Sequence, residues 1–541
     1  MNTIYMRHNL NKEEKFIQAL LGVIPGLLSW GVLIGIGVLA VRRPFTAAVV
    51  IIAFAFYMIL RTLYIIIFLK RTYKRLVIDE QQADWTVRAR GLDTVDEYLR
   101  NLYYGAAPEH NSPEDYSLLL HKDEIKELRA VKNMPVPYQQ IYHCVIIPLV
   151  EKEYYIINDM MESLRLSSFP PQRIAVFFSV SESQAASFHE NLKQLEEHFH
   201  GVFYALRVVK TSDKPAGRLS VKALAINAGL QAASVFFEQN NISADCVIVS
   251  YFDSPCVLNP EHFSCLTYFY MVNPYRTKVT FSPIAVYSDE LRRESTAVQA
   301  FEIATSSLEL AEAGAVRSPS RFLGNSMSLQ LFNEVGYLPC DIISYSQSFS
   351  REVFARNSNV CKIAPFYVRF PADIKMVRQE PKTTDIIRRR RLLSTWRVEE
   401  FVYFMRRHYR NKEISFMQKL KYLMRTLEAS TFEATWPFLL SFLACLPLAF
   451  LGREFSHPVF YYSVGRVFTI TLIVSFLGFV VNLHLCTVLA MRPKEKPSIL
   501  GDLTSFLPWL IMSVMGFFSA AAIMLRVQTA LLFGRYEKKL D

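Results

Sequence analysis

Long apolar blocks stand near both ends of the chain, and short apolar runs alternate with amphipathic stretches in its middle. Ile17 to Val41 is a nearly uncharged run, long enough to cross a bilayer, which takes about 20 apolar residues. It is too long for a signal peptide and lacks a small-residue cleavage site. Arg42 and Arg43 mark a tight turn, and Phe45 to Leu69 is a second run of spanning length. Arg61 interrupts that run. A charge inside a span faces protein, meets an interface or snorkels, and snorkelling is the expectation for Arg61. Lys70, Arg71, Lys74 and Arg75 follow at once, which by the positive-inside rule puts the chain beyond them in the cytosol. Arg7, Lys12 and Lys15 near the start agree, while Arg42 and Arg43 argue weakly against.

Residues 76–139 are mixed and charged, with Pro108, Pro113, Pro135 and Pro137 as breakers, and predict helices and loops leading into a domain. Strand and helix patterns then alternate. Cys144–Val150, Ile174–Val180, Phe203–Val209 and Cys246–Phe252 are short apolar runs of strand length. Tyr154–Leu166, Glu182–Phe199 and Val221–Phe237 carry helical spacing between them. Such alternation predicts a mostly parallel sheet covered on both faces. Val279–Val286 fits a further strand, and the region from there through Tyr367 is mixed.

Past residue 380 the chain turns basic. Arg388, Arg389, Arg390 and Arg391 form a run, and Phe416, Leu420, Leu423 and Leu427 recur at helical spacing beside Lys419, Lys421 and Arg425. That pattern suits a helix in the membrane interface; an ordinary amphipathic helix on a domain surface is the alternative. Three apolar blocks close the chain, roughly Ala434–Leu451, Val459–Ala490 and Phe506–Leu525. Five spans in all put the C-terminus outside, whereas Arg526, Arg535, Lys538 and Lys539 prefer the inside, so either that tail breaks the rule or one block is not a simple span.

The division expected is 1–75, a membrane region with spans 17–41 and 45–69; 76–139, lead-in helices and loops; 140–380, an α/β domain; 381–430, arginine-rich and interfacial helices; and 431–541, a C-terminal membrane region of about three spans. Composition agrees: the 541 residues are 51% hydrophobic, too many for one ordinary domain, and the net charge of +11 lies mostly at membrane edges. That distribution argues for the lipid bilayer as partner and against nucleic acid. Eight cysteines without a CxxC pair suggest neither a disulfide framework nor a zinc site, and reduced thiols in a cytosolic domain are the simplest account. GxxxxGK[ST], HExxH and GxSxG are all lacking, so P-loop, zincin and hydrolase-elbow chemistry find no support.

The chemistry centres on CVIVSYFDSPCVLNP, Cys246 to Pro260, where an apolar run ends on Asp253. In an open α/β sheet, ligands sit beyond the carboxyl ends of the strands, so Asp253 is placed to meet one. Capping a turn before Pro255 is the alternative. With CVIIPLVEKE, LSVKALAINAGLQAA, FLGNSMSLQLFNEVGYL and VEEFVYFMRR in order around it, the chain resembles the membrane-integrated family-2 glycosyltransferases, the group of cellulose, chitin and hyaluronan synthases. The resemblance implies a multi-pass membrane protein, at the plasma membrane, whose cytosolic GT-A-like domain has a mostly parallel sheet and is flanked by transmembrane helices. It implies transfer of a sugar from a nucleotide-sugar to a polysaccharide or lipid acceptor, and a partner subunit is a further expectation. Donor-binding positions fall on Glu151 or Glu153, Lys222, Asn227 and Asp253, and acceptor-side positions on Gly324, Asn325, Tyr345 and Ser346.

Three departures from the family pattern matter. The DxD motif, which implies a magnesium or manganese ion, reads Asp253–Ser254–Pro255, so one carboxylate remains and metal affinity falls. The Glu-Asp pair that supplies the general base is replaced by Tyr345 and Ser346, neither of which takes a proton readily near pH 7. Asp341 and Glu352 are weak substitutes. QxxRW is lost within RRRRLLSTW, although Arg388–Arg391 still offer planar donors to phosphate oxygens or to anionic lipid head groups. Two expectations therefore stand together: a divergent glycosyltransferase, and a catalytically inactive relative serving as membrane scaffold or binding subunit.

Overall fold

The computed structural model describes residues 12–104, 116–149, 154–211, 220–252, 255–286, 325–340, 345–356, 363–371, 398, 401–405, 414–443 and 499–533, with isolated positions between 446 and 477. They form two compact units. One takes its described residues from Arg71–Ser288 and Glu312–Glu380, the other from Met1–Lys70 and Pro381–Asp541.

The first unit is α/β. Strands β1 (Tyr142–Leu149), β2 (Ile174–Ser181), β3 (Ala205–Thr211) and β4 (Val247–Tyr251) are followed by β5 (Thr280–Val286), β6 (Asn325–Ser328) and β7 (Ile363–Pro371). They make one sheet in the order β3-β2-β1-β4-β6-β5-β7. β1, β2, β3 and β4 pair in parallel, β6 is antiparallel to both β4 and β5, and β7 is parallel to β5. The expected mostly parallel sheet is thus parallel in its first half and mixed in its second. YHCVIIPL and IAVFFSVS are almost continuously buried because both faces of an inner parallel strand are covered. β3 lies at the edge, and its residues are only partly buried. β5 carries Pro283 inside the sheet, where the register slips between Pro283 and Ile284. A proline has no N–H for the ladder, so a bulge is where a strand tolerates one.

Helix α8 (Val221–Gln239) covers one face of the sheet. It comes very close: a Cβ on Gly229 would stand 2.7 Å from Ile146 Cγ2 and 2.8 Å from Ser179 Oγ. On the other face lies α9 (His262–Val272), buried along its whole length. Thr267 Oγ1 donates to Phe263 O, so the His143 Nε2–H donates to Thr267 Oγ1 at 2.8 Å. The segment beyond Val286, read from sequence only as mixed, contains β6, α10 (Leu329–Val335), α11 (Tyr345–Arg356) and β7. Numbered in the same chain order, the remaining helices are α1 (Lys12–Arg42), α2 (Pro44–Gln82), α3 (Trp85–Gly91), α4 (Val95–Tyr104), α5 (Tyr116–Val131), α6 (Tyr154–Arg165), α7 (Glu182–His198), α12 (Phe416–Leu440) and α13 (Ile499–Leu532).

A buried polar chain joins α4, α5 and α9. Tyr268 Oη donates to Glu124 Oε2 at 2.6 Å, so its oxygen accepts from His121 Nδ1–H at 2.7 Å. His121 Nε2 is left to accept from Tyr98 Oη at 2.9 Å. The partners therefore select one neutral tautomer of His121. Arg75 closes the chain through Glu124 and lies over the Tyr367 ring.

The second unit is helical, and α1, α12 and α13 pack on one another. Gly26 lets α1 approach α13: a Cβ there would stand 2.9 Å from Gln528 O. Trp30 Nε1 donates to Thr529 Oγ1 at 2.9 Å. Among the described residues, Ala19–Arg42, Pro44–Glu80 and Val514–Leu532 are long and apolar enough to cross a membrane. Most of the expected block Val459–Ala490 lies outside the described residues. The boundaries expected at 75 and 430 fall inside continuous helices, α2 and α12. Arg61, expected to snorkel, meets a neighbouring helix of the same unit. Its Nη1 donates to Tyr57 Oη at 3.2 Å and lies 3.8 Å from Glu428 Oε1, and its guanidinium stacks 3.9 Å above Phe432. A carboxylate on a neighbouring helix and an aromatic face thus both engage the cation.

Candidate functional site

The parallel strands β3, β2, β1 and β4 present their carboxyl ends along one edge, the usual ligand edge of an open α/β sheet. Phe252 N donates to Ile146 O at 3.1 Å and carries the β4 pairing one residue further. Asp253 follows. It lies outside the described residues, as do Glu151, Glu153, Gly324, Asp341 and Arg388–Arg391.

Helix α8 begins with a cap: Ser220 Oγ accepts from Ala223 N at 3.3 Å. Lys222 stands in the first turn, half-buried. Asn227, one turn further, is 1% exposed. Its Nδ2 donates to Leu338 O at 2.9 Å and to Cys340 Sγ at 3.2 Å, and its Oδ1 accepts from Leu338 N at 2.9 Å. Ser220 N donates to Cys340 O at 2.8 Å. Leu338–Cys340 is thereby fastened to α8 at two points, and the Asn227 amide is engaged by the chain itself. Ser220 was legible as a polar residue ahead of a helical apolar pattern; nothing in the sequence flags Cys340.

Asn325 opens β6 and is the register partner of Tyr251, two residues before Asp253. Tyr345 opens α11 and is 6% exposed. It belongs to the apolar cluster that contains Tyr251, Phe332 and Phe349. Ser346 is half-buried, and its carbonyl accepts from Ser350 Oγ at 3.2 Å. Glu352 is buried on the same helix, about 10 Å further along the axis than Tyr345. Asn325 thus neighbours the end of β4, whereas Glu352 lies two turns into α11.

Behind the β4 turn stands an aromatic box that sequence reading missed. Phe252 stacks on Phe370 at 5.9 Å, and the His262 ring lies 6.2 Å from Phe252, 5.2 Å from Phe366 and 5.0 Å from Phe263. His262 is buried, and neither ring nitrogen has a hydrogen-bond partner. Burial pushes its pKa down to about 3, so the ring is neutral. Burial likewise lowers His143, with His262 and Arg173 adding to the effect. The five described cysteines are free, and burial raises the thiol pKa values of Cys144 and Cys256.

Asp253, the acid that the resemblance assigns to a divalent ion, lies outside the described residues. Pro255 offers no side-chain ligand atom in place of the second acid. Among the described residues, no group of three or more His, Cys, Asp or Glu side chains could hold a metal.

No family model and no curated protein matches the chain. Among solved structures, it is similar to the mannosyltransferase PcManGT from Pyrobaculum calidifontis in complex with GDP-Man and Mn2+. The identity is 15% and the TM-score 0.39, covering 75% of this chain and 100% of that one. TarS 1-349 of S. aureus in complex with UDP-GlcNAc is 15% identical with a TM-score of 0.32, covering 73% of this chain and 93% of that one.

Proposed function

We propose that the α/β unit is a GT-A-like nucleotide-diphospho-sugar domain on the cytosolic side of the plasma membrane, and that the chain is a family-2 glycosyltransferase-like protein. Its donor is a nucleotide-sugar and its acceptor a polysaccharide or a lipid. The observation that carries this reading is the pairing of Tyr251 with Asn325. The strand assigned to the donor and the segment assigned to the acceptor are neighbours in the sheet. Lys222 stands in the first turn of the adjoining helix. In this reading Asp253, one of Glu151 and Glu153, and Lys222 contact the donor, and Asn227 positions the 338–340 segment. Gly324 and Asn325 face the acceptor, with Tyr345 and Ser346 where the family keeps its acids. Arg388–Arg391 neutralise phosphate charge on the diphosphate or on lipid head groups.

Transfer requires the acceptor hydroxyl oxygen to bond the anomeric carbon as the bond to the diphosphate oxygen breaks, with the hydroxyl proton passing to a base. A positioned base contributes roughly 100- to 10,000-fold. Tyr345 and Ser346 are poor bases near pH 7, which leaves Asp341 or Glu352. One observation favours the second reading, a catalytically inactive scaffold or binding subunit: Tyr345 is built into the apolar core.

Calorimetry of the purified protein with UDP-, GDP- and TDP-sugars, with and without manganese, tests both readings. Binding that is lost in Asp253→Ala or Lys222→Ala supports the donor site, and turnover then separates enzyme from scaffold. Absence of binding to every member of the panel removes the nucleotide-sugar reading.

A further inference from the structure

Helix α2 runs unbroken from Pro44 to Gln82, and neither Gly nor Pro interrupts it after Pro44. Sharp kinks arise mostly at such residues, so α2 has no hinge of that kind and its two ends move together. Pro44–Glu80 is long and apolar enough to cross a membrane, yet the helix from Arg71 onward belongs to the α/β unit. There its side chains are held. Arg75 pairs with Glu124 of α5, and its guanidinium lies 4.0 Å from the centre of the Tyr367 ring and 5.1 Å from that of Phe269. Glu80 Oε2 accepts from Arg369 Nε at 3.0 Å. Tyr367 and Arg369 both stand on β7.

The same strand supports the chain that leads to Asp253. Pro283 of β5 pairs with Phe366 and Ile284 with Arg369, so Tyr367 and Val368 face no residue of β5. A bulge of this kind re-aims side chains. Tyr367 meets Arg75, while Phe366 and Phe370 meet His262, at 5.2 and 6.1 Å between rings. Phe370 stacks on Phe252 at 5.9 Å with 10° between the ring planes. Beyond Asp253 and Ser254 the chain is fastened elsewhere. Cys256 N donates to Met160 Sδ at 3.4 Å and Leu258 N to Ser163 Oγ at 3.1 Å, both on α6. The leg before Asp253 thus leans on β7, and the leg after it on α6.

We propose that β7 couples α2 to the β4 turn, as a conformational device built into the α/β unit. In the docked state Arg75 and Glu80 hold β7, and Phe370 rests on Phe252. When α2 tilts or slides along its axis, Tyr367 and Arg369 are drawn with it. Phe370 then parts from Phe252, and the leg before Asp253 loosens while the α6 leg stays. Phe366 and Phe252 are 0% and 3% exposed, and a close-packed contact passes a shift on instead of absorbing it. The coupling is reciprocal: whatever loosens the β4 turn weakens the hold on α2. This inference is independent of the nucleotide-sugar reading.

Hydrogen exchange of the full chain in lipid nanodiscs, read by mass spectrometry, tests the link. The amides of Phe252, Cys256 and Leu258 donate to Ile146 O, Met160 Sδ and Ser163 Oγ, so peptides containing them report the β4 turn. Peptides within 71–82 report the end of α2, and those of β2 are the control for folding. Glu80→Arg repels Arg369 and releases α2; exchange at Phe252 rises at least fivefold, and β2 is unchanged. Combining it with Arg369→Glu restores slow exchange, because the pair is rebuilt with its charges exchanged. Phe370→Ala, made at the far end, speeds exchange within 71–82. Faster exchange within 71–82 but not at Phe252 in Glu80→Arg overturns the proposal. So does unchanged exchange at both places, since α2 and β7 are then not joined through this pair. Where the reversal exposes β2 as well, Glu80→Gln removes the pair without repulsion and is read by the same two criteria.

Discussion

Asn227 and Leu338 exchange two hydrogen bonds of 2.9 Å, the side-chain amide of one taking the place of a paired backbone for the other. The pair is buried and joins α8 to the segment leading to Asp341.

Asn227→Ala strips both partners from the Leu338 backbone. A buried donor or acceptor left unmet costs about 1–3 kcal/mol. The variant loses about 2–4 kcal/mol, read from denaturant unfolding of the full chain in detergent. Asn227→Asp keeps the acceptor for Leu338 N but turns a carboxylate toward Leu338 O, and is destabilised as well. An unchanged midpoint in Asn227→Ala would show that the bridge is dispensable.

Gly229→Ala puts a methyl group 2.7 Å from Ile146 Cγ2. Overpacking of this kind costs about 1–3 kcal/mol. The helix must lift from β1 and β2, and the same unfolding measurement reports it. Gly31 has nothing within 4 Å of its would-be Cβ, so Gly31→Ala is the matched control and leaves the midpoint unmoved or raises it.

Tyr268→Phe removes the hydroxyl that accepts from His121 and donates to Glu124. Tyr98→Phe removes the donor to His121 Nε2, at the other end of the chain. The first variant loses about 2–4 kcal/mol and the second about half as much. The ranking is the prediction: equal losses would mean that the chain of hydrogen bonds is not directional.

Three buried histidines make the α/β unit sensitive to acid. Burial lowers the pKa of His121, helped by Arg88, Arg75 and Lys122, and likewise lowers those of His143 and His262. The unfolded chain titrates near 6.5, so below that pH it binds more protons than the folded one. Stability from the neutral rings is complete above pH 6.5 and is lost as pH falls toward the folded-state values. Each ring adds a slope of up to about 1.4 kcal/mol per pH unit. His262→Phe, in a box already made of phenylalanines, holds or raises stability at pH 8 and removes one proton from the acid slope. A loss of more than about 2 kcal/mol at pH 8 would mean that the imidazole has a partner it needs.

Much of the first half of the α/β unit was legible from periodicity. The runs at Cys144, Ile174, Phe203 and Cys246 became β1 to β4, with ends displaced by up to two residues, because apolar content marks burial but not where pairing stops. The intervening helices followed their spacing closely. α9 was missed because HFSCLTYFYMV is buried all round and shows no polar face to betray its period. β6 was missed for the opposite reason: NSMS has almost no apolar signal and is a strand only because β4 and β5 lie on either side of it.

Side-chain patterning along the chain was enough to place the apolar runs of spanning length, the alternating α/β region between them and a buried strand just ahead of Asp253. Those properties are local, set by side-chain hydrophobicity and turn chemistry along the chain. That Asn325 stands opposite Tyr251, that Asn227 serves Leu338 and that Arg61 meets Glu428 came from tertiary packing alone. Each of these joins residues more than 70 positions apart through a backbone or polar group. Such groups are present in every candidate pairing, so the choice among partners is made by packing the whole unit rather than by any stretch of sequence.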